Sequence, residues 1–309
     1  MIATLTPNPA IDMNVSTVAG KLVPNAVNRT RDTSFSPNGK GLNVAFALEH
    51  FGVPAEVLGF FAGFTGRYVV EGAERRCPVH PVWVDGETRV TVLLRAGDVE
   101  YTMPGEGSPV PPAAQEEMLG IVAGLGGLET LVVSGSLPPL VGPDFFDRLV
   151  ALAAEQGFEL VWDVSSAHLA RLVETRPLLI KPNDDELRRV FGLGCADDGE
   201  ALASLRDLAG KGARNVLLTL GGRGAYFYAA EQDALWRATA PRVKVLQTAC
   251  AGDGSLGAFL SVWLGDRHAV EPALKRAMAT GANVAMGPGL GDLALAPELE
   301  PQVVVTRVA

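Results

Sequence analysis

From about residue 119 the chain alternates between two hydrophobic patterns. Short apolar runs, LETLVVSG (128–135), FELVWDVS (158–165), PLLIKPN (177–183) and ARNVLLTLG (213–221), read as strands buried on both faces. Between them PDFFDRLVALAAEQG (143–157), a segment opening at Asp184 and LASLRDLAGKG carry apolar residues at helical spacing. This rhythm predicts an α/β fold, a mostly parallel central sheet with helices on both faces. Residues 12–36 and 82–104 break it with short alternating segments such as MNVSTV and VEYTM. Alternation predicts half-exposed antiparallel strands. Both regions leave the α/β body and return to it, so they read as a small β-sheet lid within one domain spanning 1–309.

Composition narrows the function. With 48% hydrophobic and 20% charged residues, the chain has the balance of an ordinary water-soluble protein. A net charge of −9 without any Lys/Arg cluster argues against a nucleic-acid surface. An anionic substrate is then held by a few placed cations. Cys77, Cys195 and Cys250 form no CxxC pair, which points to a reducing cytoplasm rather than a disulfide framework. The start, MIATLTPNPAIDMNV, lacks a signal pattern and reads as a first strand. No apolar run reaches the ~18 residues of a membrane helix. His50, His80, His168 and His268 lack metal-site spacing and read as surface or packing residues.

Several nucleotide and hydrolase motifs are missing. GKGLNV (39–44) ends in valine where GxGxxG needs glycine, no Gly-Lys pair precedes Ser or Thr, and there is no GxSxG. Five stretches remain. SPNGKGLNVAFALEHFG (36–52) places a cation, Lys40, at a glycine turn opening a helix. GSLPP (135–139) follows a buried strand, where open α/β sheets bind ligands. In IKPNDDELRRVFG (180–192), acidic residues open a helix; they suit its dipole or a water-bridged Mg²⁺. LTLGGRGAYF (218–227) reads as a glycine hairpin. QTACAGDGSLGAFLSVWL (247–264) is a turn entering a helix, either a simple cap or an anion site with Asp253 beside it.

Taken in order, Asp12 after TPNP, GKGLN, GETR (86–89), GSLPP, Asp163, KPNDDE, LTLGGRGA and AGDGSLGAF closely resemble the ribokinase-like carbohydrate kinases of the phosphofructokinase B group. The resemblance spans essentially the whole chain. It implies the ribokinase-like fold and phosphoryl transfer from ATP, with Mg²⁺, to a small-molecule sugar phosphate. It assigns the catalytic turn to Cys250, Ala251, Gly252 and Asp253. Asp253 is then the base, and the N–H groups of Ala251, Gly252 and Asp253 are the anion hole. Acceptor contacts fall to Asp12, Gly39, Lys40, Asn43, Arg89 and Ser136. Nucleotide contacts fall to Lys181, Asn183, Thr219, Gly221 and Gly224, with Ala279 and Asn283 bordering adenine, and Glu186 orders the metal through water. The resemblance also implies a homodimer through the lid.

Three positions depart from the pattern: Cys250, Asn38 and Asn25 each stand where glycine is usual. Lys40 and Glu100 make the chain more similar to the 1-phosphofructokinase and tagatose-6-phosphate kinase branch than to the minor 6-phosphofructokinase. The expected reaction is fructose 1-phosphate to fructose 1,6-bisphosphate. Tagatose 6-phosphate, fructose 6-phosphate and a sugar-phosphate-binding homologue without turnover, motivated by Cys250, are the alternatives. A kinase for a nucleoside or free sugar fits less well, because Lys40 and Arg89 suit a phosphate-bearing acceptor.

Overall fold

The computed structural model describes residues 1–165 and 168–309. The chain opens with β1 (Ile2–Thr6), turns at TPNP into β2 (Ala10–Thr17) and returns along β3 (Thr30–Asn38) to α1 (Lys40–His50). β4 (Ala55–Ala62), α2 (Gly63–Glu74) and β5 (Val79–Val84) follow, then the hairpin of β6 (Arg89–Ala96) and β7 (Val99–Pro104). Next come α3 (Pro112–Gly124), β8 (Thr130–Gly135), α4 (Pro143–Gln156), β9 (Glu159–Val164), α5 (Leu169–Leu172) and β10 (Leu179–Ile180). α6 (Asp184–Phe191), α7 (Asp198–Lys211), β11 (Asn215–Thr219), β12 (Ala225–Ala229) and β13 (Ala234–Ala238) lead to α8 (Ala251–Trp263). α9 (Val270–Ala285), α10 (Ala296–Leu299) and β14 (Val305–Arg307) close the chain.

Among the described residues, ten strands form one sheet in the order β14-β13-β12-β11-β10-β9-β8-β1-β4-β5. Neighbours from β11 to β5 run parallel, and β12 to β14 extend the sheet antiparallel. The period-2 geometry of a strand sends successive side chains to opposite faces. In β8, Leu131 and Val133 join the core under α3 and α4, while Val132 joins the one under α1, α8 and α9. Val161 and Leu217 repeat this division between their neighbours, so the apolar runs reflect burial on both faces. Each such buried side chain contributes roughly 1.5–3 kcal/mol.

A second sheet has the order β3-β2-β6-β7. Its outer pairs are antiparallel, as the alternation predicts, but the central β2–β6 pair is parallel. The reason is connectivity: each follows a strand of the parallel sheet, β1 or β5, and enters in the same direction. Residues 82–84 belong to β5, where Val82, Trp83 and Val84 pair with Phe60, Phe61 and Ala62 of β4. Alternation alone does not separate them from the strands that follow.

Helices α1 and α8 cross closely at Gly257. A Cβ there would come within 2.6 Å of both Ala47 Cβ and Val44 O. This glycine therefore sets the distance between the helices, and with it the spacing of the polar residues at their first turns.

Candidate active site

The parallel strands deliver their carboxyl ends to one rim, where an open α/β sheet binds ligands. Asp163 lies near the end of β9, Lys181 just after β10, and Ser136 just after β8. The first turns of α1 and α8 meet there. Asn43 Nδ2 donates to Asp253 Oδ2 at 2.9 Å across 210 positions of sequence.

The small sheet supplies one wall. Asp12 on β2 is 2% exposed, and its Oδ1 has no hydrogen-bond partner among the described residues. Its Oδ2 accepts from Asn38 Nδ2. Burial raises the Asp12 pKa above the carboxylate norm, opposed by Asn38, Arg89 and Thr91. Arg89 opens β6 beside Asp12; burial lowers its pKa, which the Asp12 charge offsets. Arg89 Nε donates to Asn8 O at 3.2 Å, and Asn8 Nδ2 reaches Ser136 Oγ at 3.4 Å, so the TPNP turn ties the Arg89 and Ser136 segments together.

The cations gather around Asp163, which is 1% exposed. Lys181 Nζ is 3.1 Å from its Oδ1, and Lys40 Nζ is 3.4 Å from the same oxygen. Lys40 Nζ also donates to Ser165 Oγ at 2.6 Å. Burial pulls the Lys40 ammonium down, but Asp163, Asp253 and Glu186 outweigh it and hold its pKa above the ordinary value. A Cβ on Gly252 would lie 3.4 Å from Lys181 Nζ, so that ammonium rests against the start of α8. Burial raises the Asp253 pKa. Lys40, Lys181 and the Asn43 bond oppose the shift, and Asp163 adds to it.

Cys250 is the N-cap of α8 with φ 64°, a left-handed conformation that glycine adopts more easily. The turn keeps its helix start despite the Cβ. The N-cap provides no side-chain hydrogen bond to the helix, and a long 3.4 Å turn bond joins Ala251 N to Thr248 O. The thiol pKa is raised well above its norm by burial, then by the charges of Asp253 and Asp12.

The nucleotide-side residues are largely engaged in local structure. Asn183 and Glu186 form a capping box: Asn183 Oδ1 accepts from Glu186 N at 2.8 Å, and Glu186 Oε2 accepts from Asn183 N at 3.0 Å. Asp184 pairs with Arg223, and Asp185 with Arg188 and Arg189, so these carboxylates serve surface ion pairs. Thr219 bridges to Asn183 at the end of β11. Gly221 has φ 56° in the turn before β12. Gly224 is required by β13, since a Cβ would fall 1.9 Å from Ala238 O. Gly39, φ 152°, packs against Thr6. Asn283 on α9 accepts from Leu295 N at 2.8 Å and anchors the following loop. Ala279 is buried on the same helix. No group of three or more His, Cys, Asp or Glu that could hold a metal occurs among the described residues.

Two participants carry no role in the sequence reading. Asp163 appears in the motif order but not as the shared partner of Lys40 and Lys181; its signal is a lone acid in the apolar run FELVWDVS. Asn38 appears only as a replaced glycine, yet its side chain reaches Asp12, Asn43 and Cys250.

Comparison with known proteins agrees with this geometry. The pfkB family carbohydrate kinase model matches residues 10–295. The chain is 40% identical over 309 residues to a D-tagatose-1-phosphate kinase of Klebsiella oxytoca, covering all of both chains. It is 30% identical over 313 residues to the 1-phosphofructokinase of Bacillus subtilis, again covering all of both. Phosphofructokinase-2 from Escherichia coli, solved with substrates and products, superimposes with a TM-score of 0.85 at 25% identity, over 97% of this chain and 98% of that one. The chain therefore belongs to the pfkB family of carbohydrate kinases and is an ATP-dependent phosphotransferase.

Proposed function

We propose that the protein transfers the γ-phosphoryl group of ATP to the free primary hydroxyl of a ketohexose 1-phosphate, with D-tagatose 1-phosphate ahead of D-fructose 1-phosphate. The observation that carries this reading is the buried Asp253 carboxylate at the start of α8, held by Asn43 with Lys40 and Lys181 beside it. The names of the full-length relatives support the 1-phosphate class, and the higher identity to the tagatose enzyme orders the two acceptors. The sequence-based expectation put fructose 1-phosphate first and did not include tagatose 1-phosphate, which enters with the relatives' names.

Asp253 takes the proton of the acceptor hydroxyl as the hydroxyl oxygen bonds to the γ-phosphorus and the bond from that phosphorus to the β–γ bridging oxygen breaks, releasing ADP. A carboxylate with a raised pKa is a better base than an ordinary one. Asn43 orients it. The helix N-terminus at Ala251, Gly252 and Asp253, with Lys181 against it, stabilises charge on the transferring group. Lys40 shares Asp163 Oδ1 with Lys181 and neutralises the same phosphate oxygens. Arg89 takes the acceptor's own phosphate, and Asp12 accepts from a sugar hydroxyl. The small sheet carries both residues, so its closure as a lid excludes water. Asn183, Thr219, Gly221, Gly224, Ala279 and Asn283 line the nucleotide side.

Mg²⁺ keeps most of its waters and takes one or two carboxylates plus substrate phosphates. Glu186 fits that demand through water, because its capping bond uses Oε2. When bound, the ion neutralises charge on the ATP phosphates. A homodimer through the small sheet is supported by exposed apolar residues on β3 and β7, among them Phe35, Tyr101 and Met103. A cytoplasmic location is supported by three free cysteines. The described residues contain no helix long and apolar enough to cross a membrane.

The test is ADP release with Mg-ATP and, in parallel, D-tagatose 1-phosphate, D-fructose 1-phosphate, D-fructose 6-phosphate and free fructose. Turnover of a ketohexose 1-phosphate, lowered about 10³-fold or more by Asp253→Asn, supports the reading. Turnover confined to fructose 6-phosphate or free fructose, or none at all, overturns it.

A further inference from the structure

Asn38 and Cys250, two residues standing where the family pattern has glycine, meet in space. Asn38 ends β3 and Cys250 caps α8, 212 positions apart, yet the Cys250 thiol donates to Asn38 Oδ1 at 3.8 Å. The same oxygen accepts from Gly39 N at 2.7 Å and from Asn43 Nδ2 at 2.7 Å. On its other side Asn38 Nδ2 donates to Asp12 Oδ2. Asn43 passes the network on to Asp253. One carboxamide thus joins the acceptor wall, the first turn of α1 and the catalytic turn. Glycine at either position provides no such side chain.

The consequence falls on Asp12. A buried carboxylate with both oxygens free can accept from two neighbouring hydroxyls on one face of a sugar. Here Oδ2 is held by Asn38, and only the buried Oδ1 remains without a partner among the described residues. We infer that Asn38 and Cys250 form one positioning unit that fixes the plane of the Asp12 carboxylate, occupies one acceptor site of its Oδ2, and so sets the preference between ketohexose 1-phosphate epimers. The inference rests on the proposed acceptor class. In the furanose form, tagatose carries its C3 and C4 hydroxyls cis and fructose carries them trans. With one Oδ2 acceptor site taken and the carboxylate plane fixed by Asn38, Asp12 bridges the cis pair less well than a freely turning carboxylate does. The thiol remains a protonated donor because burial and the charges of Asp253 and Asp12 oppose its ionisation. Cys250 caps α8 in a left-handed backbone conformation, and its thiol reaches Asn38 rather than the helix.

The experiment measures kcat/KM for both epimers, KM for ATP and thermal midpoint in Asn38→Gly, Asn38→Ala, Cys250→Ala and the Asn38→Ala/Cys250→Ala double variant. Asn38→Gly and Asn38→Ala should each raise the tagatose-to-fructose ratio of kcat/KM about fivefold or more, with KM for ATP within about twofold. Cys250→Ala should move the ratio the same way by about twofold, and the double variant should match Asn38→Ala alone, since the thiol acts through that carboxamide. If one position-38 variant fails to fold, the other carries the test. An unchanged ratio, a shift toward fructose, or independent effects in the double variant would overturn the inference while leaving the proposed function standing. Should the unsubstituted protein turn over neither epimer, the proposed function falls. The ratio of calorimetric Kd values for the two epimers then reads the pair by the same criteria, and absence of binding refutes both.

Discussion

Helices α6 and α8 both begin near the Lys40 ammonium, yet their first turns are built in opposite ways. The α6 terminus closes on itself: Asn183 and Glu186 satisfy each other's backbone N–H groups, and three acidic residues complement the dipole. The α8 terminus has a left-handed cysteine as its cap and no side chain turned back onto the helix. Orphan donors at a helix start need a partner, and a phosphate is one. A helix end serves stability when its own residues cap it and serves chemistry when they do not. In α8 the single acid of the first turn, Asp253, is instead held from outside by Asn43 of α1.

The contrast breaks most severely at Asp163, which joins the cations of both neighbourhoods. Asp163→Asn removes the charge between two lysines, and breaking such a buried pair costs about 3–5 kcal/mol. The expected result is a large drop in the denaturation midpoint together with lost activity. A midpoint unchanged in Asp163→Asn would show that Lys40 and Lys181 find other partners.

Glu186→Gln separates capping from charge at α6. Glutamine preserves a capping box, so stability should move by no more than about 0.5 kcal/mol. Removal of the carboxylate should lower kcat/KM for Mg-ATP by about 10- to 100-fold, partly recovered at high Mg²⁺. Kinetics insensitive to both the substitution and Mg²⁺ would confine Glu186 to a structural role.

Asn183→Ala probes the cap itself. Losing an N-cap costs about 1 kcal/mol, so thermal unfolding should fall by roughly 2–4 °C. A stability loss indistinguishable from zero would mean that the α6 terminus is not self-supporting.

The smallest effect concerns pH. In the proposed reaction the Asp253 carboxylate is the base, so kcat is present above its pKa and lost as pH falls through it. Burial raises that pKa, placing the acidic limb above the ordinary aspartate range, and Lys40 opposes the shift. Lys40→Met should therefore move the limb of the kcat profile, at saturating substrates, to higher pH. Movement to lower pH would mean that another group sets the limb.

Much of this was legible from residues. The apolar runs at 128–135, 158–165 and 213–221 contain β8, β9 and β11, and the helix after Gln247 begins at Ala251. Asn183-x-x-Glu186 has the form of a capping box, but the neighbouring carboxylates drew attention to a dipole or metal instead. LTLGGRGA reads as a glycine hairpin, which β11 and β12 form, and only the resemblance makes it a ligand loop; at Gly224 the carbonyl of Ala238 forbids a side chain whatever binds nearby. Proximity to a site and contact with its ligand leave the same trace in a motif.

The sequence by itself determined the α/β class, the two-sided burial of the parallel strands, the helix start at the Asp253 turn and the membership its ordered motifs imply. These are carried by periodicities of two and 3.6 residues and by turn chemistry, which act over a few neighbours. Tertiary structure alone decided that β2 and β6 pair in parallel, that Asp163 holds Lys40 from 123 positions away, and that Asn38 meets Cys250. The last of these depends on how closely α1 and α8 pack, which Gly257 sets against Val44 and Ala47. No local period encodes a distance of that kind; it exists only once the layers have closed on one another.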